Sequence, residues 1–398
     1  MLPSLSLLRW FYFVSLGALG AVIPFLGARL EAAGLSGHQI GGLMAMLPLG
    51  RLVSAPLWGW LADRFAMAGL LLRIGCALAV LGELLLLFQA DPVYAAVGLF
   101  LFSAGRAPLG PLVDSVTLQA LSQPGHDPRE YGRVRLWGSI GFLGFAIVCG
   151  RLSDGGFDPL VLGAGLVLAT AALAFRFPVR GAGGPAPVLP ALRALLQQPF
   201  LVPLLGMACL QAMTLSVYDT FFSAHVRALG LPSMVTAAAV AVGVTCEVAV
   251  MRFGRPLLAR LGAPRALLLA AVSAVPRWAL IAWVTDPVAL VAVQVLHGVA
   301  FGLFWIAGVQ LMATRAPAQV SASAQSLFSA ASYGVGALAG ALLAGEVRAA
   351  WGTAAIFQGL TLLSCGASAF AAWLVWRERP ERPERSERSA RGEGTRAA

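Results

Sequence analysis

Long apolar runs recur along this chain, and they constrain its fold more than any other feature. About 20 apolar residues, rising 1.5 Å each as a helix, cross a ~30 Å hydrocarbon layer. Twelve such runs can be read, near residues 7–29, 39–61, 69–89, 93–121, 132–152, 160–177, 200–225, 233–253, 265–285, 288–313, 321–344 and 353–376. Lipid offers backbone N–H and C=O groups no partner, so each run must be a helix. Only 12% of the residues are charged, about half the typical share in soluble domains. Too little polar surface remains to coat a water-soluble fold of this size. The first run has no cleavage site and reads as a retained helix.

The spacing of the runs predicts an all-α membrane protein of twelve transmembrane helices in two pseudo-repeated six-helix bundles. "FPVRGAGGPAPVLPALRALLQQP" breaks helix with Gly and Pro between the sixth and seventh runs. The expected organisation is therefore a bundle over 1–177, a cytoplasmic linker over 178–198, a second bundle over 199–376 and a disordered tail over 377–398. The halves echo each other: "APLWGWLADR" closes the second run and "RPLLARLGAPR" the eighth, with Pro56 and Pro256 in register. Repeated halves around a mid-membrane site are a transporter architecture. The even-numbered loops and the termini carry most of the arginines, which predicts a multi-pass protein of the cytoplasmic (inner) membrane with both termini in the cytoplasm.

The net charge of +10 thus faces the cytoplasmic leaflet and needs no nucleic-acid partner. Cys76, Cys149, Cys209, Cys246 and Cys365 show no paired spacing, and four dispersed histidines make no zinc site. No metal, cofactor or enzymatic nucleophile–base constellation is expected, nor an oligomer. Gly138, Gly141 and Gly144 in the fifth span, and "GVGALAG" in the eleventh, read as helix-packing surfaces.

Ionisable residues inside the runs are the functional candidates. Each central charge costs roughly 2.5–3.5 kcal/mol on insertion scales, and such residues mark pathways by default. The acids are Glu83, Asp114, Asp219 and Glu247; the bases are Arg51, Arg106, Arg135 and Arg277, with His297 in "QVLHGVAFGLFWIAG". Arg106 and Asp114 lie eight apart, on nearly one helical face, which predicts a shared cavity lining. Glu83, close to the end of its span, can instead be a snorkelling or packing residue. "GWLADR" places Gly59, Asp63 and Arg64 at a helix end suited to gating.

"GWLADR", twelve spans and a central linker together resemble the major facilitator superfamily, although "FAMAG" replaces the expected continuation of that loop. "PLVDSV" with "YGRVRLWGSIGF" looks like the lactose permease branch, which would make Asp114 and Arg135 the substrate-binding charge pair. "SVYDTF", "CEVAVMRFG", "AVPRWAL" and "QVLHGVAF" then align Tyr218, Asp219, Glu247, Arg277 and His297 with that branch's polar residues. Ala300 stands where the branch has a proton-handling acid, and Gln294 and Tyr333 where it has lysines. "FYF", "PFL", "PLWGWLADR" and "LHGVAFGLFWIAG" look more like the phenylpropionate permease family, associated with uptake of aromatic acids.

The resemblance implies a secondary transporter: proton-coupled uptake of a small organic solute such as an aromatic carboxylate, with a sugar or nucleoside symporter and a drug or metabolite exporter as alternatives. Its partners would be that solute, the proton and the bilayer. The expected substrate residues are Arg135 to hold the anion, Asp114 to orient it and Arg106 to balance charge, with Trp137, Phe142, Tyr218, Phe301 and Trp305 as apolar faces. Glu247 is the expected proton carrier, with His297, Asp219 and Arg277 beside it.

Overall fold

The computed structural model describes residues 3–65, 67–87, 91–121, 123, 131–177, 197–315 and 327–377. The expected linker and tail, apart from residues at their edges, lie outside the described residues. The first three spans are Leu5–Ala32, Gly37–Phe65 and Ala68–Leu87. The fourth comprises Pro92–Arg106 and Leu109–Leu121. The fifth to ninth are Tyr131–Asp154, Pro159–Ala174, Leu201–Ala228, Ser233–Phe253 and Ala263–Trp283. The tenth runs from Pro287–Ala292 through a π-helical stretch, Gly298–Leu303, to Phe304–Arg315. A second π-helical stretch, Ala330–Gly336, opens the eleventh.

Ten of these helices are long and apolar enough to cross a membrane, and Pro159–Ala174 is a shorter apolar one. The longest stretch, Leu327–Arg377, is two spans that reverse at Gly352, where φ is +82°. Resolved in this way, the spans agree with twelve. The positive-φ glycines repeat: Gly34 and Gly230 stand 196 residues apart, as do Gly156 and Gly352. Each ends a span where only glycine turns without strain, so the two halves share one turn plan.

Three spans start alike. Asp91, Asp158 and Asp286 each accept a backbone N–H from the first turn (Val93 at 2.8 Å, Leu160 at 3.0 Å, Ala289 at 2.8 Å), and proline follows each cap. Aspartate satisfies an orphan donor, and proline at the first position lacks the N–H that would be orphaned. Outward faces stay apolar: Trp283 is 75% exposed, Leu362 74% and Val202 71%. Such surface suits acyl chains rather than water.

The apolar cores reveal how the halves meet. One core joins Phe25, Ile40 and Met44 of the first half to Phe221, Phe222 and Ala344 of the second. It lies toward the end of the molecule carrying the odd-numbered loops. Toward the even-loop end the core divides. Leu8, Leu72, Val113 and Val134 pack within the first half, and Leu204, Leu267, Phe304 and Leu374 within the second.

Polar contacts also tie the halves at the odd-loop end. Arg348 pairs with Glu31, and His38 with Glu346. Asp154, the last residue of the fifth span, accepts from the N–H groups of Ser233 at 2.6 Å and Met234 at 3.2 Å. The eighth span has Pro232 at its cap position, without a side-chain hydrogen bond. The first half therefore caps a helix of the second. Close by, a Cβ on Gly27 would stand 1.7 Å from the carbonyl oxygen of Thr220.

Backbone cannot yield at that contact as a side chain could. Gly27→Val is therefore expected to hold the odd-loop end open while leaving each half folded. Spin labels on Ala33→Cys and Ala350→Cys would report a longer distance in the variant. An unchanged distance would show that this contact does not control closure.

Candidate functional site

A central cavity of about 300 Å³ lies where the halves face each other. Small-ligand pockets begin near this size. The first, second, fourth and fifth spans line it from one half, and the seventh, eighth, tenth and eleventh from the other. Its charged walls are Arg51, Arg106 and Asp219, with His297 beside them. Arg51 and Asp219 are exposed although helices surround them, so the space between the halves admits water. Phe102, Phe142, Tyr218, Phe222, Phe301 and Tyr333 give the cavity aromatic faces.

Arg51 lies over the Tyr333 ring, 5.7 Å from its centroid. Arg106 donates from Nη2 to the Ser15 carbonyl at 2.6 Å and to Ser15 Oγ at 3.2 Å, and lies 5.4 Å from the Phe102 ring. Its Nη1 is buried without a hydrogen-bond partner. Among the described residues neither guanidinium makes a salt bridge. Two cations thus enter one cavity from one half with donors to spare.

Among the described residues, the second half supplies the one acid in the cavity wall, Asp219, and sets Glu247 behind His297. Glu247 Oε2 stands 3.5 Å from His297 Nε2, and His297 Nδ1 is buried without a partner. The imidazole stacks on Phe301 at 5.8 Å and ends just before the π-helical stretch. Gly243 of the eighth span makes room for it, since a Cβ there would meet the ring at 3.2 Å. Arg277, 1% exposed, donates to Gln294 Oε1 at 2.9 Å and lies 4.5 Å from the Tyr218 ring. Tyr218 is the residue next to Asp219, so this contact sets Arg277 beside the acid's own stretch of helix. Asp219 therefore has a cation nearby despite glutamine and tyrosine at the positions of the two lysines.

The expected Asp114–Arg135 pair is arranged differently. Tyr12 stands between the two: its hydroxyl donates to Asp114 Oδ1 at 2.6 Å, and Arg135 lies over its ring at 5.3 Å. Neither residue lines the cavity. Arg135 makes its ring contact with Tyr12 and no salt bridge with Glu247, whose near neighbour is His297. Arg106 and Asp114 do not share one continuous helix, because the fourth span breaks at Ala107 and Pro108. Proline there removes a helical hydrogen bond and crowds the preceding turn. Only Arg106 faces the cavity.

The aromatic expectations divide similarly. Phe142, Tyr218 and Phe301 line the cavity, whereas Trp137 packs with Trp10 and Phe13 and is 37% exposed. Trp305 lies behind the wall, 5.3 Å from Tyr333 and 6.3 Å from Phe301. The packing glycines are close-set at Gly141, whose Cβ would stand 2.0 Å from the Phe13 carbonyl, but Gly144 meets open space. The side chains of Gly59, Asp63 and Arg64 lie outside the described residues. Among the described residues no His, Cys, Asp and Glu cluster could hold a metal.

Arg51 and Tyr333 are the cavity pair that sequence spacing did not single out. The intramembrane charge of Arg51 was a signal. Tyr333 faces the site through the π-helical turn, a local geometry often found at functional sites.

Residues 5–359 match the MFS_1 like family. A relative named maltose permease, from Geobacillus stearothermophilus, is 32% identical over 87% of this chain and 88% of its own. A probable 3-phenylpropionic acid transporter of Escherichia coli K12 is 28% identical, over 82% of this chain and 87% of its own. Among solved structures, the nucleoside transporter NupG superposes with a TM-score of 0.83 at 19% identity, covering 94% of this chain and 99% of that one.

Proposed function

The chain belongs to the MFS_1 like family and is a multi-pass secondary transporter of the major facilitator type, and on that premise we propose that it takes up a small aromatic carboxylate together with a proton. The observation that carries this reading is the pair of cavity arginines, Arg51 and Arg106, neither of them in a salt bridge among the described residues. A guanidinium binds a carboxylate through two parallel hydrogen bonds. The surrounding phenyl and phenol rings offer faces for an aromatic body. Substrate therefore bridges the arginines of one half and the aromatic wall of the other.

Glu247 and His297 form the proton-handling pair in this reading. Arg135 attracts ionised Glu247 across the even-loop side of the interface. Protonating Glu247 removes that attraction, which lets the halves part or rejoin in step with the proton. Asp114 and Tyr12 hold Arg135 in place rather than touching substrate. Tight contacts at the odd-loop end and divided cores at the other correspond to a state facing the cytoplasm, with both termini on that side of the inner membrane. The units are the two six-helix bundles, 1–177 and 199–376, working as a monomer.

A second reading, a sugar symporter, draws support from the maltose permease relative and from the hydroxyl lining of Ser103, Ser216 and Ser332. Proteoliposomes with an imposed pH gradient separate the two. Labelled 3-phenylpropionate is expected to accumulate, and to leak away when a protonophore collapses the gradient. Accumulation of maltose alone would establish the second reading instead. Accumulation of neither would remove both.

A further inference from the structure

Glu83 of the third span is an acid enclosed by helices. It is 0% exposed, and neither carboxyl oxygen has a hydrogen-bond partner. It does not snorkel. Its space is provided by Gly163 of the sixth span: a Cβ there would stand 2.7 Å from Glu83 Oε1 and 2.3 Å from Val22 Cγ2 of the first. A carboxyl group packed this way must either hold a proton or have a cation at hand.

The third and fourth spans pack backbone to backbone beside Glu83 and Arg106, a Cβ on Gly82 meeting Phe102 N at 2.4 Å and one on Gly105 meeting Ala79 N at 2.6 Å. The charged groups around Glu83 are Arg106 from the fourth span, Arg29 from the first and Asp158 before the sixth. Cys76 and Arg51 act on Arg106 in turn. Arg29 is already committed, because its Nε and Nη2 donate to the two oxygens of Asp158 at 2.7 and 2.6 Å. Arg106 is not, since its Nη1 is buried and unpartnered. Arg106 also lines the cavity. One guanidinium therefore serves both the buried acid and the space where substrate would sit.

We propose that Glu83 is a second proton-binding site, in the opposite half from Glu247, and that Arg106 couples its proton to the contents of the central cavity. The proposal rests on the transport reading for its purpose but not for its test. With the cavity empty, the charge of Arg106 is available to the Glu83 carboxylate. An anion that engages Arg106 competes for that charge, and Glu83 then takes up a proton from solvent. No covalent bond changes other than the O–H of the acid. Charge entering with the anion is thereby matched within the first half alone.

Infrared pH titration of the protein reconstituted in liposomes tests this without any transported solute. Wild type is expected to show a carboxylic-acid C=O band that titrates, that Glu83→Gln loses and that Glu247→Gln retains. Arg106→Gln is expected to move the titration midpoint of that band. A band that persists in Glu83→Gln, that never titrates while the protein is folded, or that keeps its midpoint in Arg106→Gln would overturn the proposal. Should Glu83→Gln fail to fold, Glu83→Asp must change the frequency of the band, and an unchanged band would count equally against it. Failure here leaves uptake of 3-phenylpropionate unaffected as a claim, and failure of uptake leaves the titration readable.

Discussion

Replacing Arg51 with methionine is expected to weaken binding of 3-phenylpropionate by about 10- to 150-fold. Hydrogen bonds to a charged group contribute about 1.5–3 kcal/mol each when their partner is lost, and each 1.4 kcal/mol is tenfold in Kd. The cost to folding should be small. Arg51 makes a single face contact, with Tyr333, and exposed contacts of that kind are worth about 0.5–1 kcal/mol. Arg51→Lys keeps the charge but loses the planar fork, so it should fall between methionine and wild type. Arg106→Met should weaken binding similarly and also lower thermal stability, because its bonds to Ser15 hold the first and fourth spans together. Calorimetric titration of the purified variants checks both. Wild-type affinity in Arg51→Met would remove Arg51 from the substrate site.

The second large effect belongs to Glu247. Glu247→Gln is expected to abolish accumulation driven by a pH gradient while leaving exchange of 3-phenylpropionate across the membrane near wild type. Glutamine preserves the volume beside His297 but cannot carry a proton or attract Arg135. Exchange requires the cavity to reorient only in its loaded state, which a permanently neutral side chain permits. Counterflow and gradient-driven uptake, measured on the same proteoliposomes, separate the two activities. Undiminished accumulation would show that the proton travels elsewhere, and lost exchange would show that Glu247 serves substrate binding.

Much of this architecture is legible in the chain itself, because lipid permits few solutions. The twelve runs are visible since unsatisfied backbone groups forbid anything but helices. The Asp-Pro starts at Asp91, Asp158 and Asp286 and the turning glycines Gly34, Gly156, Gly230 and Gly352 are readable by the same local chemistry. The residues that carry intramembrane charge are equally plain. Which of them meet is not. Arg106 and Asp114 satisfy a helical period on paper, but Pro108 divides the span and only Arg106 turns to the cavity. A π-helical turn after His297 and another around Tyr333 rotate the faces that follow them. Tyr12 separates Asp114 from Arg135, a contact that joins residues 102 apart and leaves no periodic trace. Glu247 meets His297 at 3.5 Å across two spans of the second half, a contact between residues 50 apart that is equally invisible in the sequence.

Binding of 3-phenylpropionate compared with its neutral analogue 3-phenylpropanol shows whether the cavity receives an anion. The two share an aromatic body and differ in the anionic group that Arg51 and Arg106 are held to receive. Calorimetric titration of the wild-type protein should show the acid binding at least about 10-fold more tightly, the lower bound set by one charge-assisted hydrogen bond. Equal affinity for the alcohol would contradict it.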